Sequence, residues 1–503
     1  MSDQAPDIVI IGSGMGGATL AAGLAGSGLR ILILEKGDHL KDTPETRDAR
    51  AIFQQGFFRP KEMWLDKDGK AFNPGNYYVV GGNTKFYGAV LFRYRREDFS
   101  ELKFPEGGVS PAWPFSYEEL EPYYSRAEQL YQVRGMEGED TTEPFHSQPY
   151  PHGPVPDEPA ISKVRKHLKK AGLNPATLPL GVDIERWLKR AQTPFDAYPD
   201  TLTGKMDAES CGLAAALKDP NITLQTKSDV VRLETDTANN ISAIVYRLNG
   251  IEKRLSPKLV VLSAGAVRSS VLLLRSANSS NPNGLANSSD QVGRNFMNHN
   301  ATFMLAFNPF RLNDSVYQKT LHFNDFYFDD GHGSGPLGQV QLLGKVTAPI
   351  LKTVLWFMPE WALRFLSRRM VDWYLVSEDL PRPESRVRIE GEQIILDWQP
   401  SNMQAHEKLC LAVREKMLKA GYWFTFSTPV DGRLPSHQCG TVRMGIDPKT
   451  SVLNPFCQSW DHKNLYVVDA GCLPTSAAVN PSLTVAAQAL RVADHIKTLG
   501  LAA

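Results

Sequence analysis

Residues 7–37 read "DIVIIGSGMGGATLAAGLAGSGLRILILEKG". The run from Ile8 to Ile11 is continuously apolar and of buried-strand length, small residues at helical spacing follow, and Leu29–Leu34 forms a second apolar run, which predicts β-turn-α-β. Parallel neighbours need that crossover helix, and its Gly and Ala residues let it lie close to the sheet. The turn carries Gly12, Gly14 and Gly17 in G-x-G-x-x-G order, with Glu35 closing the second strand. Gly12 permits the tight turn, Gly14 lets backbone approach a pyrophosphate, Gly17 lets helix touch strand, and the helix start attracts phosphate. Glu35 is placed to accept from ribose hydroxyls and disfavours a 2′-phosphate, so a dinucleotide other than NADP is expected. This stretch alone leaves FAD and NAD both open.

Further along, the text changes character. Residues 100–205 mix Pro, Tyr, Trp and Glu around one helical pattern; strand-like runs return at 222–266; short strands alternate with long aromatic helices over 300–430; strand and helix close the chain. No internal repeat or low-complexity linker separates these pieces. Sheet material in separated segments predicts an α/β protein in which one sheet domain is assembled from distant parts and a second domain is built from the insertions.

The chain has 503 residues, enough for a large core, and its 55 Lys and Arg balance 55 Asp and Glu. A net charge of zero gives no electrostatic reason to bind nucleic acid, and a small, uncharged partner is expected. The N-terminus has no basic region ahead of its first apolar run, so no cleaved signal is expected and a cytoplasmic location follows. The five cysteines, odd in number and widely spaced, fit neither a disulfide framework nor a zinc ribbon, and no metal is expected. Residues 346–376, "VTAPILKTVLWFMPEWALRFLSRRMVDWYLV", are rich in aromatics but broken by Lys352, Glu360, Arg364, Arg368 and Arg369. That is too charged to span a bilayer; a core or subunit-contact helix is expected in preference to a membrane-surface one, and a homo-oligomer is left open.

Several ordered blocks resemble the glucose-methanol-choline (GMC) flavoprotein oxidoreductases. Beyond the N-terminal unit, "NYYVVGGNTKFYGA" (76–89), "WPFSYEELEPYYSRAE" (113–128), "LVVLSAGAVRSSVLLLRS" (259–276), "VGRNFMNH" (292–299), "SHQCGTVRMGIDPKTSVLN" (436–454) and "NLYVVDAGCLPTSAAVNPSLTVAAQALRVADHI" (464–496) are similar to the family's blocks in order. The resemblance implies a Rossmann-like FAD-binding domain from residues 1–97, 205–300 and 432–503, and an α+β substrate-binding domain with an antiparallel sheet and helices from 98–204 and 301–431. It implies FAD contacts at Gly12, Gly14, Gly17, Glu35, Gly81, Gly82, Asn83, Thr84, Val230, Ala264, Asp469, Ala470, Asn480, Pro481, Leu483 and Thr484. "SEDLPRPESRVRI" (377–389) leans toward the pyranose oxidase-like and glycoside oxidase-like branch. Pyranose oxidases carry a flavin-linked His in the Gly-Gly block, whereas Phe86 stands nearest here, which implies non-covalent FAD.

Flavin oxidation of an alcohol needs a group that takes the hydroxyl proton while hydride leaves the carbon, and a neutral imidazole suits it. By resemblance that group is His437, with Asn480 in the partner position; an Asn can donate to the substrate oxygen but cannot take its proton. His299 ranks as structural, and His462 and His495 carry no argument. Asp469 ends a buried strand near the ribose and pyrophosphate, or caps its turn. Asn480 also reads as a helix cap ahead of Pro481 at the first helical position. Cys439 and Cys472 read as packing residues. The implied activity is FAD-dependent oxidation of a CH–OH group of a neutral polyhydroxylated sugar or glycoside, with electrons passed to oxygen, a quinone or another acceptor. A non-redox hydroxynitrile lyase-type member and an oxidase of sterols or other alcohols are the alternatives. A pyridine-nucleotide-dependent flavin reductase would need a second G-x-G-x-x-G, which "VVLSAGAVRSS" does not supply.

Overall fold

The structure, a computed structural model, describes residues 5–501 apart from 105–106, 189–194, 202–203, 330, 332, 334 and 431–436. The opening stretch folds as read: β1 (Ile8–Ile11), helix α1 (Met15–Leu24) and β2 (Ile31–Leu34) form a parallel crossover unit with Ile8 paired to Ile31. The strands that complete this chain's two principal sheets are β3 (Ala176–Thr177), β4 (Ile222–Gln225), β5 (Leu259–Leu262), β6 (His299–Phe307), β7 (Leu321–Phe323), β8 (Gln339–Leu342), β9 (Met370–Glu378), β10 (Phe424–Pro429) and β11 (Leu465–Val467). The first sheet is parallel, in the order β11-β5-β1-β2-β4. Its strands come from three widely separated parts of the sequence and are apolar throughout their centre, as a sheet covered on both faces requires.

Helix α2 (Ala266–Arg275) follows β5, and the last helix α5 (Ser482–Lys497) lies across α1. Small residues set that crossing: a Cβ on Gly23 would come within 2.7 Å of the Ala493 Cβ. The second sheet is antiparallel over its long strands, in the order β10-β6-β9-β8-β7-β3, with β6 and β9 paired from His299–Glu378 to Phe307–Met370. Between β4 and β5, residues expected to be strand form a separate antiparallel meander of Ser228–Thr235, Ile241–Leu248 and Ile251–Leu255.

Two local expectations change. Residues 346–376 are not one helix: they split into α3 (Ala348–Val354), α4 (Glu360–Ser367) and strand β9, because the apolar run from Met370 is buried at all nine positions as a central strand while the preceding aromatics are not. Helix α5 begins at Ser482, and Pro481, not Asn480, holds the capping position, with no side-chain cap. No helix among the described residues is long and apolar enough to cross a membrane.

Candidate active site

A long cleft runs over the C-terminal edge of the parallel sheet, where doubly wound folds bind ligands. It is lined by Gly12, Ser13, Gly14 and Glu35, by Asn83, Thr84, Val230 and Ala264, and by Asp469, Ala470, Pro481 and His437. The glycines divide their work. Gly12 adopts φ +106°, and a Cβ there would meet the Ser263 carbonyl oxygen at 2.3 Å; on Gly17 it would meet the Gly12 carbonyl oxygen at 2.1 Å. Packing therefore demands both. Gly14 differs: a Cβ there would meet no protein atom within 4 Å, although Gly14 starts α1 and lines the cleft. Its lack of a side chain leaves room for something outside the protein, and no side chain caps the first amides of α1. A helix start left bare at the mouth of a cleft suits a pyrophosphate.

The Glu35 carboxylate accepts from the Ser13 amide (3.1 Å) and hydroxyl (2.7 Å) and from the Gly37 amide (2.9 Å). Burial raises its pKa, and these three bonds oppose the rise. The carboxylate lines the cleft, where a ribose hydroxyl could donate to it. Asp469 works as a clamp: it accepts from the Gly265 amide (3.0 Å), the Ser269 hydroxyl (2.6 Å) and the Gly471 amide (2.7 Å), tying the turn after β11 to the start of α2.

Beside the cleft the histidines form a chain. His299 Nε2 lies 3.1 Å from the Ser476 carbonyl oxygen, His299 Nδ1 lies 2.7 Å from His437 Nδ1, and His437 Nε2 lies 3.3 Å from Asn480 Nδ2. A carbonyl only accepts, so His299 carries its proton on Nε2. Burial pushes its pKa down to about 4, so the ring is neutral near pH 7 and its Nδ1 is a bare acceptor. His437 must then hold its own proton on Nδ1, which leaves a lone pair on Nε2. Burial, then the neighbouring His299 and Lys319, lower the His437 pKa well below the ordinary histidine range. The Asn480 amide donates toward that Nε2 and does not cap α5. The geometry yields a neutral imidazole with one defined basic nitrogen, on the wall of the cleft that Glu35 also lines.

His299, ranked structural from the sequence, is thus in direct contact with His437; it stands at the first position of β6, 138 residues away, and no local pattern announces the pairing. Lys319 and Asp196 were also missed. They form a close ion pair beside Gly88, where a Cβ would come within 2.2 Å of Lys319 Nζ. The other named residues are less central. Gly81 is left-handed (φ +86°) and its amide donates to the Ser13 hydroxyl at 3.1 Å, while Gly82 lines the cleft. The side chains of Leu483 and Thr484 face the core, Thr484 bonding the Tyr124 hydroxyl at 2.7 Å. Phe86 stacks on Tyr77. Cys439 and Cys472 are buried and unbridged, and His462 accepts the Ala286 amide at 2.9 Å. Among the described residues no group of three His, Cys, Asp or Glu side chains is placed to hold a metal ion.

Two family models, each described as GMC oxidoreductase, match residues 8–301 and 431–489. Paromamine 6'-oxidase of Streptomyces fradiae is 27% identical over 529 residues, covering 98% of this chain and 92% of that protein. The fructose dehydrogenase large subunit of Gluconobacter japonicus is 27% identical, covering 97% of each. 2-Methyl-1,2-propanediol dehydrogenase of Mycolicibacterium austroafricanum is 27% identical, covering 97% of this chain and 95% of that protein. The crystal structure of pyridoxine 4-oxidase from Mesorbium loti superposes with a TM-score of 0.69 over 97% of this chain and 99% of that one, at 19% identity, and so shares the fold.

Proposed function

This chain belongs to the GMC oxidoreductases, and on that premise we propose that it oxidises a CH–OH group of a neutral polyhydroxylated substrate, a pyranose or glycoside, with His437 as the base. The observation that carries the reading is the hydrogen-bond chain from Ser476 through His299 to His437, which leaves the lone pair on His437 Nε2 in the cleft that the glycine turn also lines. GMC oxidoreductases are FAD-binding flavoproteins, and we assign the cofactor to segments 1–97, 205–300 and 432–503 and the substrate to 98–204 and 301–431. Gly12 to Gly14 and the start of α1 would hold the pyrophosphate, Glu35 the ribose, and Gly82 to Thr84 with Ala470 and Pro481 the ring system, without a covalent link. Bound FAD supplies the acceptor for hydride.

The residues do the rest. His437 Nε2 takes the hydroxyl proton while its Nδ1–H stays on His299, which keeps the ring from turning. When substrate enters, the Asn480 amide passes its hydrogen bond from His437 Nε2 to the substrate oxygen, which frees the lone pair for the proton and turns the carbinol hydrogen toward the cleft. Lys319, whose charge is felt at His437, is paired with Asp196. Relatives named for an amino sugar, a ketose and a diol support a polyhydroxylated class. The test is an anaerobic panel of pyranoses, glycosides, diols and sterols added to the FAD-loaded protein. Bleaching by a pyranose or glycoside is expected; bleaching by sterols alone reassigns the substrate, and no bleaching by any alcohol, with flavin bound, favours a non-redox role.

A further inference from the structure

Far from the cleft, the segment between β8 and β9 leaves its largest apolar side chains in solvent. Val354, Trp356, Phe357 and Trp361 are 74%, 72%, 67% and 74% exposed, on the end of α3, the short connection and the start of α4. Soluble monomers do not commonly gather such rings on one surface without a partner for them. Lys352, Arg364, Arg368 and Arg369 accompany them, against one acidic side chain, Glu360, which pairs with Arg364 at 2.6 Å. Arg369 lies over the Phe365 ring at 4.0 Å, so charge and aromatic surface are interleaved.

We propose that this face seats the protein on a phospholipid bilayer carrying anionic headgroups. Two short helices and a connection that expose Trp and Phe, with Lys and Arg interleaved, suit a membrane–water interface, where rings enter the headgroup boundary and long cations reach phosphate. The charge also argues against the principal rival, a second copy of the chain. A two-fold contact through the same patch would set these cations against their own equivalents. The patch is separate from the catalytic pair: β6 carries His299 at one end and Phe307, in contact with the Phe365 ring, at the other, a span of about 27 Å. The inference therefore does not rest on the substrate or on the chemistry of His437.

The test is sedimentation of the FAD-loaded protein with vesicles of pure phosphatidylcholine or of phosphatidylcholine with phosphatidylglycerol. Binding to the anionic vesicles is expected to be at least about tenfold tighter and to weaken with salt. Trp356→Ser/Phe357→Ser/Trp361→Ser should abolish it with unchanged flavin content and melting temperature, and Arg368→Gln/Arg369→Gln should reduce the preference for anionic lipid. Protein left wholly in the supernatant with both compositions overturns the proposal. So does a dimer in solution that the triple variant dissociates, since the face then belongs to a second copy.

Discussion

His437 acquires its chemistry from neighbours that lie far away in sequence. A base must be unprotonated to act, so with His437 in the proposed role activity should be lost as pH falls through its folded-state pKa, and burial with His299 and Lys319 holds that pKa below the usual 6.5. The acid limb of the flavin-reduction rate should accordingly lie below pH 6.5; a limb above that value would mean that the ring is not desolvated in solution. His299→Leu removes the acceptor for His437 Nδ1–H, and reduction should slow by about tenfold or more with flavin content and substrate affinity nearly unchanged. A variant with reduced flavin content but an unaltered rate and pH profile would make His299 a packing residue. The same spectra test Asn480→Ala: with its amide turned to His437 and not to α5, the change should slow reduction while costing less stability than the roughly 1 kcal/mol of a lost cap. At this scale the sequence was half legible. Asn480 and Pro481 read equally well as a helix start, and only the fold shows that Pro481 takes the cap and leaves the amide free for the imidazole.

Elements were most legible where local spacing and packing demand the same residue. Gly12 and Gly17 stand where a Cβ would strike backbone, so the β1–α1 unit could be read from residues 7–37 alone. Gly14 is required by no protein atom, which separates binding from folding. Gly17→Ala should destabilise the apoprotein by about 1–3 kcal/mol or more in a melting experiment, because the Gly12 carbonyl must move. Gly14→Ala should leave the apoprotein melt nearly unchanged and weaken FAD retention on dialysis; equal losses of stability in both would show that Gly14 is also a packing residue. Residues 346–376 were least legible. A fully buried central strand and an exposed aromatic helix both read as apolar runs, and only strand pairing, Met370 with Phe307 through Glu378 with His299, tells them apart.

Over the whole molecule, the site exists because chain segments from both ends meet. Strand β11, added beside β5, brings Asp469 to the start of α2, and the loop after it carries Ser476, which orients His299, and Asn480, which faces His437. The antiparallel sheet supplies His299 at the head of β6. A sequence shows that such pieces are present but not that two histidines 138 positions apart share a hydrogen bond. The cleft is thus lined both by the glycine turn and by an imidazole of defined tautomer. Anaerobic stopped-flow reduction of the FAD-loaded enzyme, with the most active sugar or glycoside and with wild type beside His437→Asn, tests that union directly. The rate constant should fall by at least about a hundredfold in the variant at equal flavin content; reduction by the variant at the wild-type rate would contradict the assignment of His437 as the base.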